Sequence, residues 1–156
     1  MIVGVLSDTH GDVFAVEQAY RKLEEAEAWI FLGDGQREAD WLEMESKKPV
    51  YRVKGNCDAG DIPAEMALTL AGAKLLIAHG HTFAVNYDRL RLALRAQELG
   101  CCAALYGHTH VSEIEYMAGV QLICPGSPSA PRNGRAKSFA RLDIRDGNVL
   151  ASIIAL

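Results

Sequence analysis

The chain begins MIVGVLSDTH (residues 1–10), an apolar run from Ile2 to Leu6 that leads at once into the polar group Asp8-Thr9-His10. A short run of aliphatic residues such as Ile2–Leu6 predicts a buried strand. Ligands of α/β proteins bind beyond the carboxyl ends of strands, which is where Asp8 and His10 fall. This stretch therefore predicts an α/β fold with a site at its strand ends.

The same arrangement recurs along the chain, each time after a short apolar run. The other members are Gly33-Asp34-Gly35, Gly55-Asn56-Cys57-Asp58, His79-Gly80-His81 and Gly107-His108-Thr109-His110. All five histidines of the chain lie in this series. Histidine, aspartate and asparagine side chains gathered at strand ends are what a site for two metal ions needs, so we expect the five groups to converge on one edge of the molecule.

Between these groups, strands and helices alternate in the first half, and strands pair in the second. Asp12 is a candidate N-cap of the first helix. On the third helix, a buried face of Leu90, Ala93, Leu94 and Gln97 is predicted. Strands are predicted at 2–6, 29–32, 50–53, 67–70, 74–78, 103–106, 113–117, 120–124, 139–144 and 149–154, and helices at 13–25, 38–45 and 86–99. The order predicts an α/β fold in which two mixed β-sheets pack as a sandwich flanked by helices, in a single domain over residues 1–156.

The composition is that of an ordinary globular domain, with 156 residues, 49% of them hydrophobic and 23% charged. The longest apolar stretches reach about half of the roughly 20 residues that a membrane span requires, so no membrane partner is expected. The N-terminus has no basic segment typical of a signal peptide, and we expect a cytoplasmic protein. A net charge of −4 and the lack of a basic block indicate that long nucleic acid is not the partner.

Four cysteines are present, and their spacing is not that of a zinc-binding module. Cys101 and Cys102 are expected to be reduced and mostly buried, whereas Cys57 lies inside one of the polar groups. The arginines of the third helix are expected to form a solvated face; they are Arg89, Arg91 and Arg95.

Taken singly, the polar groups allow more than one interpretation. Asp8 could cap a helix or bind a metal ion, and Asp34 in isolation fits a simple turn. For His108 and His110 the ligand interpretation is favoured, because residues two apart on extended backbone point the same way. His79 is favoured as a ligand over a buried structural histidine, and His81 is expected to line the site.

Together the groups resemble the blocks D-x-H, G-D, G-N-H-D/E, H and G-H-x-H of the calcineurin-like metallophosphoesterase superfamily. The resemblance is strongest to its small one-domain phosphodiesterase branch, the YfcE-like proteins. It implies a β-sandwich with flanking helices and a centre of two divalent metal ions. By this resemblance the first ion is held by Asp8, His10 and His110, the second by Asn56, His79 and His108, and Asp34 bridges both.

Such a centre implies hydrolysis of a small phosphate ester by a metal-bridging hydroxide. Two ions about 3.5–4 Å apart clamp the attacking and leaving oxygens and lower the pKa of bound water. Imidazole and oxygen ligands together suit manganese, with iron, zinc or nickel as alternatives, better than an all-oxygen magnesium site.

Cys57 departs from the superfamily, in which a histidine at this place is thought to protonate the leaving group. Cys57 and Asp58 are the candidate catalytic residues, and Cys57 leads us to expect a preference for diesters. The loop Pro125-Gly126-Ser127 resembles a loop of the same branch. Candidate substrate-binding residues are Ser127, His81 and Arg132.

Two other functions are compatible with the sequence. The same fold occurs in the retromer scaffold subunit, so the alternative is a non-enzymatic protein-binding scaffold, which would be expected to have lost ligands. A nuclease for long DNA or RNA is disfavoured by the acidic balance. By analogy with relatives, a homo-oligomer, a dimer or a tetramer, is expected.

Overall fold

A computed structural model describes all residues from Met1 to Leu156. It contains ten strands, three α-helices and one short 3-10 helix. In chain order these are β1 (Ile2–Leu6), α1 (Val13–Lys22), β2 (Ala28–Phe31), α2 (Gln36–Ser46), β3 (Val50–Arg52), β4 (Glu65–Leu70), β5 (Ala73–Ala78), the 3-10 helix His81–Phe83, α3 (Leu90–Glu98), β6 (Ala103–Leu105), β7 (Glu113–Met117), β8 (Val120–Cys124), β9 (Ser138–Arg145) and β10 (Asn148–Ala155).

The strands form two mixed sheets of five strands each, ordered β10-β9-β1-β2-β3 and β4-β5-β6-β8-β7. In the first sheet β1, β2 and β3 run parallel, and β9 and β10 add antiparallel strands. In the second sheet β5, β6 and β8 run parallel, and β4 and β7 are antiparallel to their neighbours. This confirms the predicted α/β fold of two mixed sheets with helices.

Three hydrophobic clusters hold these layers together. The central cluster joins Val5 and Ile30 of the first sheet with Ile77 and Leu105 of the second, so the sheets pack face to face. A second cluster packs α1 and α2 on the outer face of the first sheet, around Trp29. A third packs α3 on the outer face of the second sheet. Both sheets are therefore covered on both sides, as parallel strands require.

Local signals placed the first two helices well. The Asp12 side chain accepts a hydrogen bond from the Ala15 backbone N–H at 3.0 Å, which confirms the predicted N-cap of α1. Helix α2 ends at Ser46, and Lys47 adopts a left-handed conformation, two residues before Pro49. Helix α2 therefore ends just before Pro49, as predicted.

The third helix differs from its prediction in both length and buried face. It begins at Leu90 rather than Asn86, and it buries Leu92, Ala93 and Ala96. Leu90 and Leu94 are each 43% exposed, so the predicted face was wrong. The helix is rotated so that its small and aliphatic side chains contact the sheet.

Charged contacts hold α3 in this rotation. Arg89 Nη2 lies 2.7 Å from Glu113 Oε2, and Arg95 Nη2 lies 2.7 Å from Glu65 Oε1. The expected solvated arginine face is therefore corrected for Arg89 and Arg95, which pair with carboxylates of neighbouring strands. The prediction for Cys102 was also wrong: its side chain is exposed, whereas Cys101 is buried.

None of the helices is both long enough and apolar enough to cross a bilayer.

Candidate metal centre

The polar groups meet at one edge of the sandwich, where parallel strands of both sheets end. The strand ends β1, β2, β5 and β6 are each followed directly by one group, and the loop after β3 supplies another. Carboxyl ends of parallel strands face the same edge of a sheet, so the topology alone collects these side chains. The residues brought there are Asp8, His10, Asp34, Asn56, His79, His108 and His110.

Asp8 lies at the middle of this gathering with one carboxylate oxygen unsatisfied. Oδ1 is buried and has no hydrogen-bond partner. It faces three imidazole nitrogens: Nε2 of His110 at 3.3 Å, of His79 at 3.8 Å and of His10 at 4.0 Å. An unpaired buried carboxylate oxygen is costly unless a cation or donor compensates it.

The other polar atoms of Asp8 are fixed by the protein. Oδ2 accepts hydrogen bonds from Ser7 Oγ at 2.6 Å and from the His108 N–H at 2.9 Å. The Asp8 carbonyl oxygen accepts from the hydroxyls of Ser127 at 2.8 Å and Ser129 at 3.1 Å. These bonds orient Oδ1 toward the histidines. Ser127 is fully buried, so the expected contact of its hydroxyl with phosphate is corrected: the hydroxyl holds the Asp8 loop.

Two histidines are oriented by backbone carbonyls. His79 Nδ1 donates to the Leu32 carbonyl oxygen at 2.7 Å, and His110 Nδ1 donates to that of Ala130 at 2.7 Å. Since a carbonyl can only accept, the proton sits on Nδ1 and the Nε2 lone pair faces the centre. This second hydrogen bond is typical of metal-binding histidines.

The charges of the centre perturb one another. The Asp8 carboxylate, 3.3 Å from Nε2, raises the pKa of His110. Burial alone would lower the pKa of His79, but the carboxylates of Asp34 and Asp8 outweigh it and raise it. Burial would raise the pKa of Asp34, yet His79 and the Cys57 N–H hold it well below its usual range. The Asp34 carboxylate is thus kept ionised.

Asp34 lies between two groups of potential ligands. Its Oδ2 is 3.4 Å from His79 Nε2, and its Oδ1 accepts from the Cys57 N–H at 2.8 Å. One close group joins it with Asp8 and His79, and another with His10 and Cys57, with ligand atoms within 4.8 Å of one another. The position suits a carboxylate shared by two ions.

The loop after β3 completes the centre with an amide. Asn56 Oδ1 lies 3.1 Å from His79 Nε2, and its Nδ2 donates to Cys57 Sγ at 3.4 Å. The His108 ring meets His79 edge-on at a centroid distance of 5.2 Å. His81 lies 5.4 Å from His79, and its buried Nδ1 has no partner. His108 and His81 thus stand on the same side of the centre as Asn56.

Asp58 holds two loops of the centre together. Its carboxylate accepts from the N–H groups of Asp34, Gly35 and Gly55 at 2.7–3.1 Å and from Gln36 Nε2 at 3.0 Å. Burial would raise the pKa of Asp58, but these donors outweigh it and lower it. Asp58 therefore joins the loops after β2 and β3. It also lines the groove beside Cys57, and its catalytic role stays a prediction.

Most of the candidate ligands have a left-handed backbone. Five of them have φ between 45° and 67°, namely Asp8, His10, Asp34, His108 and His110. Residues two apart were expected to point the same way because their backbone is extended. The pairs Asp8/His10 and His108/His110 do reach the centre, but their backbone is not extended. Non-glycine residues adopt this conformation at a cost, which is typical of functional sites.

An open groove of about 600 Å³ starts at the centre and is lined by His10, Asp34 and Cys57. Its far side is formed by Arg37 and by the buried Glu38, which accepts a hydrogen bond from Thr9 Oγ1 at 3.2 Å. Neither residue was predicted from the sequence to belong to the site. The one sequence feature that could have indicated this is their position directly after the Asp34 turn.

Arg132 lies on the opposite side, beside His110. Its backbone N–H donates to the His110 carbonyl oxygen at 3.1 Å, and its side chain is exposed. Together with Arg89 and Asn133 it lines an open cavity of about 440 Å³. The guanidinium can therefore reach an anion near the centre, but it is not fixed there.

The donor set fits divalent metal ions. The Nε2 atoms of His79 and His110 each lie within 4 Å of the unsatisfied Asp8 Oδ1. Metal–ligand distances of about 2.0–2.2 Å for nitrogen and oxygen are compatible with such spacing. The backbone is also packed tightly around these atoms: a Cβ on Gly33 would lie 2.5 Å from the Gly55 nitrogen.

Comparison with known proteins agrees with this geometry. The profile of the calcineurin-like phosphoesterase superfamily domain matches residues 1–147. Probable metallophosphoesterase YsnB of Bacillus subtilis (strain 168) is 35% identical over 148 residues, covering 94% of this chain and 86% of that protein. Phosphodiesterase YfcE of Escherichia coli (strain K12) is 30% identical, covering 96% of this chain and 89% of that protein.

Solved structures share the fold. A predicted phosphoesterase from Streptococcus pneumoniae TIGR4 superposes with a TM-score of 0.84 and 30% identity, over 99% of this chain and 88% of that one. Vps29 of Entamoeba histolytica, complexed with zinc, superposes with a TM-score of 0.78 at 22% identity, over 99% of this chain and 98% of that one. At that identity the likeness to Vps29 shows the fold alone.

Proposed function

The chain belongs to the calcineurin-like phosphoesterase superfamily, and on this premise we propose that residues 1–156 form one domain that hydrolyses small phosphodiesters with two divalent metal ions. The observation that carries the proposal is the buried, unpartnered Asp8 Oδ1 among the Nε2 atoms of His10, His79 and His110. No donor of the chain satisfies this oxygen, whereas a divalent cation does.

The chain offers two neighbouring sets of ligands around Asp34. We assign Asp8, His10 and His110 to one ion and Asn56, His79 and His108 to the other, with Asp34 shared. Asp34 supports this division because it belongs to close groups on both sides. The mixture of imidazole and oxygen donors favours manganese, with iron, zinc and nickel as alternatives.

Two such ions supply charge neutralisation for a phosphoryl group and lower the pKa of water to give a nucleophile. The chain itself contributes order. Ser7, Ser127 and Asp58 fix the carboxylate-bearing loops, so that the ligand atoms need little rearrangement when phosphate binds. Arg132, exposed beside His110, adds a charge-assisted contact to a phosphate oxygen, and His81 lines the opposite side.

A preference for diesters follows from Cys57. A thiol is a weaker acid than the imidazolium that the superfamily has at this place. In the metal-free protein the hydrogen bond to Asp34, burial and the charges of Asp58 and Asp8 raise the pKa of Cys57 further. Leaving groups that need no proton are therefore favoured. We expect bis-p-nitrophenyl phosphate to be cleaved faster than p-nitrophenyl phosphate after manganese loading; faster cleavage of the monoester would contradict the preference.

The variant Asp34→Asn tests the proposed centre. It removes the shared charge, and we expect metal affinity and diester hydrolysis to fall by at least about 100-fold. Asp61→Asn, an exposed carboxylate in the loop after β3, serves as the matched control. Metal content after dialysis and turnover of bis-p-nitrophenyl phosphate are measured together. Wild-type protein without bound metal, or an active Asp34→Asn, would overturn the proposal.

A protein-binding scaffold is the second candidate function, since the Vps29 structures share this fold. It is the weaker one, because all seven ligand positions keep side chains able to coordinate metal and Asp8 Oδ1 remains without a protein partner. A metal-loaded protein that hydrolyses none of a panel of monoesters, linear diesters and 2′,3′-cyclic nucleotides would favour the scaffold.

A further inference from the structure

Cys57 belongs to a close group of three potential ligands. Its thiol is the one member of this group that the proposed ion positions leave unused. Cys57 Sγ, an imidazole nitrogen of His10 and a carboxylate oxygen of Asp34 all lie within 4.8 Å of one another. Cys57 is exposed in the groove that starts at the centre. The buried, unpartnered oxygen of Asp8 lies 4.0 Å from Nε2 of the same His10.

The backbone holds this thiol in place. The Cys57 N–H donates to Asp34 Oδ1 at 2.8 Å, and Asp58 ties the preceding Gly55 to the Asp34 loop. Asn56 Nδ2 donates to Sγ at 3.4 Å while its Oδ1 faces His79. Only rotation about the Cα–Cβ bond is left to bring the sulfur onto an ion between His10 and Asp34.

We propose that Cys57 is a thiolate ligand for thiophilic ions such as zinc or cadmium at the ion position that includes His10. It does not coordinate manganese or magnesium there. The inference rests on the metal centre of the proposed function. Thiolates select soft ions, whereas carboxylate and water suit manganese and magnesium. The centre thereby distinguishes metals by a ligand that engages only some of them.

Coordination by the Cys57 thiolate changes whether the bound ion is accessible to water or substrate. Catalytic zinc sites keep one position open for water or substrate, and structural sites close it with a fourth protein ligand. With Asp8, His10, His110 and the shared Asp34 already assigned to this ion, Cys57 supplies a further protein ligand that occupies the position otherwise left for water or substrate. A thiophilic ion is therefore held in a closed site that excludes substrate, and zinc or cadmium inhibits the manganese-loaded enzyme.

The test uses thiolate-to-metal absorption in the Cys102→Ser protein. This variant removes the other exposed thiol, which is distant from the centre, while Cys101 and Cys124 are buried. Titration of the metal-free protein with cadmium is expected to give a near-ultraviolet charge-transfer band, and the band is lost in the double variant Cys57→Ser/Cys102→Ser. Cadmium is also expected to protect Cys57 from a thiol-modifying reagent, and magnesium is not.

The outcomes separate this inference from the proposed function. Cadmium that binds without a band and without protecting the thiol overturns the thiolate ligand and leaves the metal centre standing. A band that survives Cys57→Ser overturns it as well. A protein that binds no metal by direct content measurement overturns both. Cys57→Ser with relieved zinc inhibition of diester hydrolysis gives further support.

Discussion

At the residue scale, Asp58 stabilises the protein by joining two loops. It collects three backbone N–H groups and one amide from the loops after β2 and β3. We expect Asp58→Asn to lower the free energy of unfolding by about 2 kcal/mol, because the amide of asparagine turns a donor toward donors. Urea unfolding measures the loss, with the exposed Asp61→Asn as control. An unchanged midpoint would contradict this role.

Ser127 shows a second positioning role. Its buried hydroxyl donates to the Asp8 carbonyl, so Ser127→Ala is expected to cost about 1 kcal/mol of stability and roughly 10- to 100-fold in metal affinity. Ser138→Ala is a matched control, since that buried hydroxyl donates to the Pro125 carbonyl oxygen at 2.8 Å. The control should lose similar stability and keep its metal affinity. Equal metal affinity in both variants would show that Ser127 is merely structural.

The sequence predicted which side chains gather but not how some of them are used. Asp8, Asp34 and His79 are recognisable because their residue types fit metal ligation after strands. The tasks of Asp58 and Ser127 depend on where backbone N–H and C=O groups point, and residue types do not encode that direction. Both residues therefore looked like reactive groups and are found holding the loops.

At the element scale, α3 illustrates a periodicity that misleads. Leucines 90 and 94 together with Ala93 form an apolar stripe, yet Leu92 is the fully buried leucine. Leu92, Ala93 and Ala96 pack against the second sheet in this rotation, and Arg89 and Arg95 pair with strand carboxylates. Such long-range contacts are invisible in a local pattern. Strands were predicted better, because apolar runs between turns have few alternatives.

This rotation predicts unequal effects of two neighbouring substitutions. Leu92→Ala is expected to destabilise by about 2–5 kcal/mol, since it leaves a cavity between α3 and the second sheet. Leu94→Ala should cost about 1 kcal/mol or less, because Leu94 is partly solvated. Thermal or urea unfolding measures the loss of stability in the two variants. A larger loss for Leu94→Ala than for Leu92→Ala would support the buried face predicted from the sequence.

At the scale of the whole molecule, both sheets contribute ligands to one centre, so its charges should influence global stability. In the metal-free protein the carboxylates raise the pKa of His110 and His79. A raised folded pKa gives stability that is fully present below the unfolded value near 6.5 and is lost as pH rises through the folded pKa. Burial lowers the pKa of His81 and His108, which costs stability only at pH values below the unfolded value. Above about pH 7 the chelated protein should therefore weaken as pH rises.

Metal should reverse this dependence. Bound ions require neutral imidazoles, so metal binding competes with protons and strengthens as pH rises. Urea unfolding between about pH 7 and about pH 9, with a chelator and with manganese, measures both trends. A chelated protein whose stability grows over this range would contradict the charge arrangement.

The left-handed backbone at five of the seven candidate ligands has a consequence for engineering. Anyone who wished to graft this centre onto another scaffold would have to transplant five unusual dihedral pairs along with the side chains. A host built from ideal strands and loops, given only the right histidines and aspartates, would aim them elsewhere. The portable unit of this site is the conformation of the strand–loop junctions, and the residue types come second.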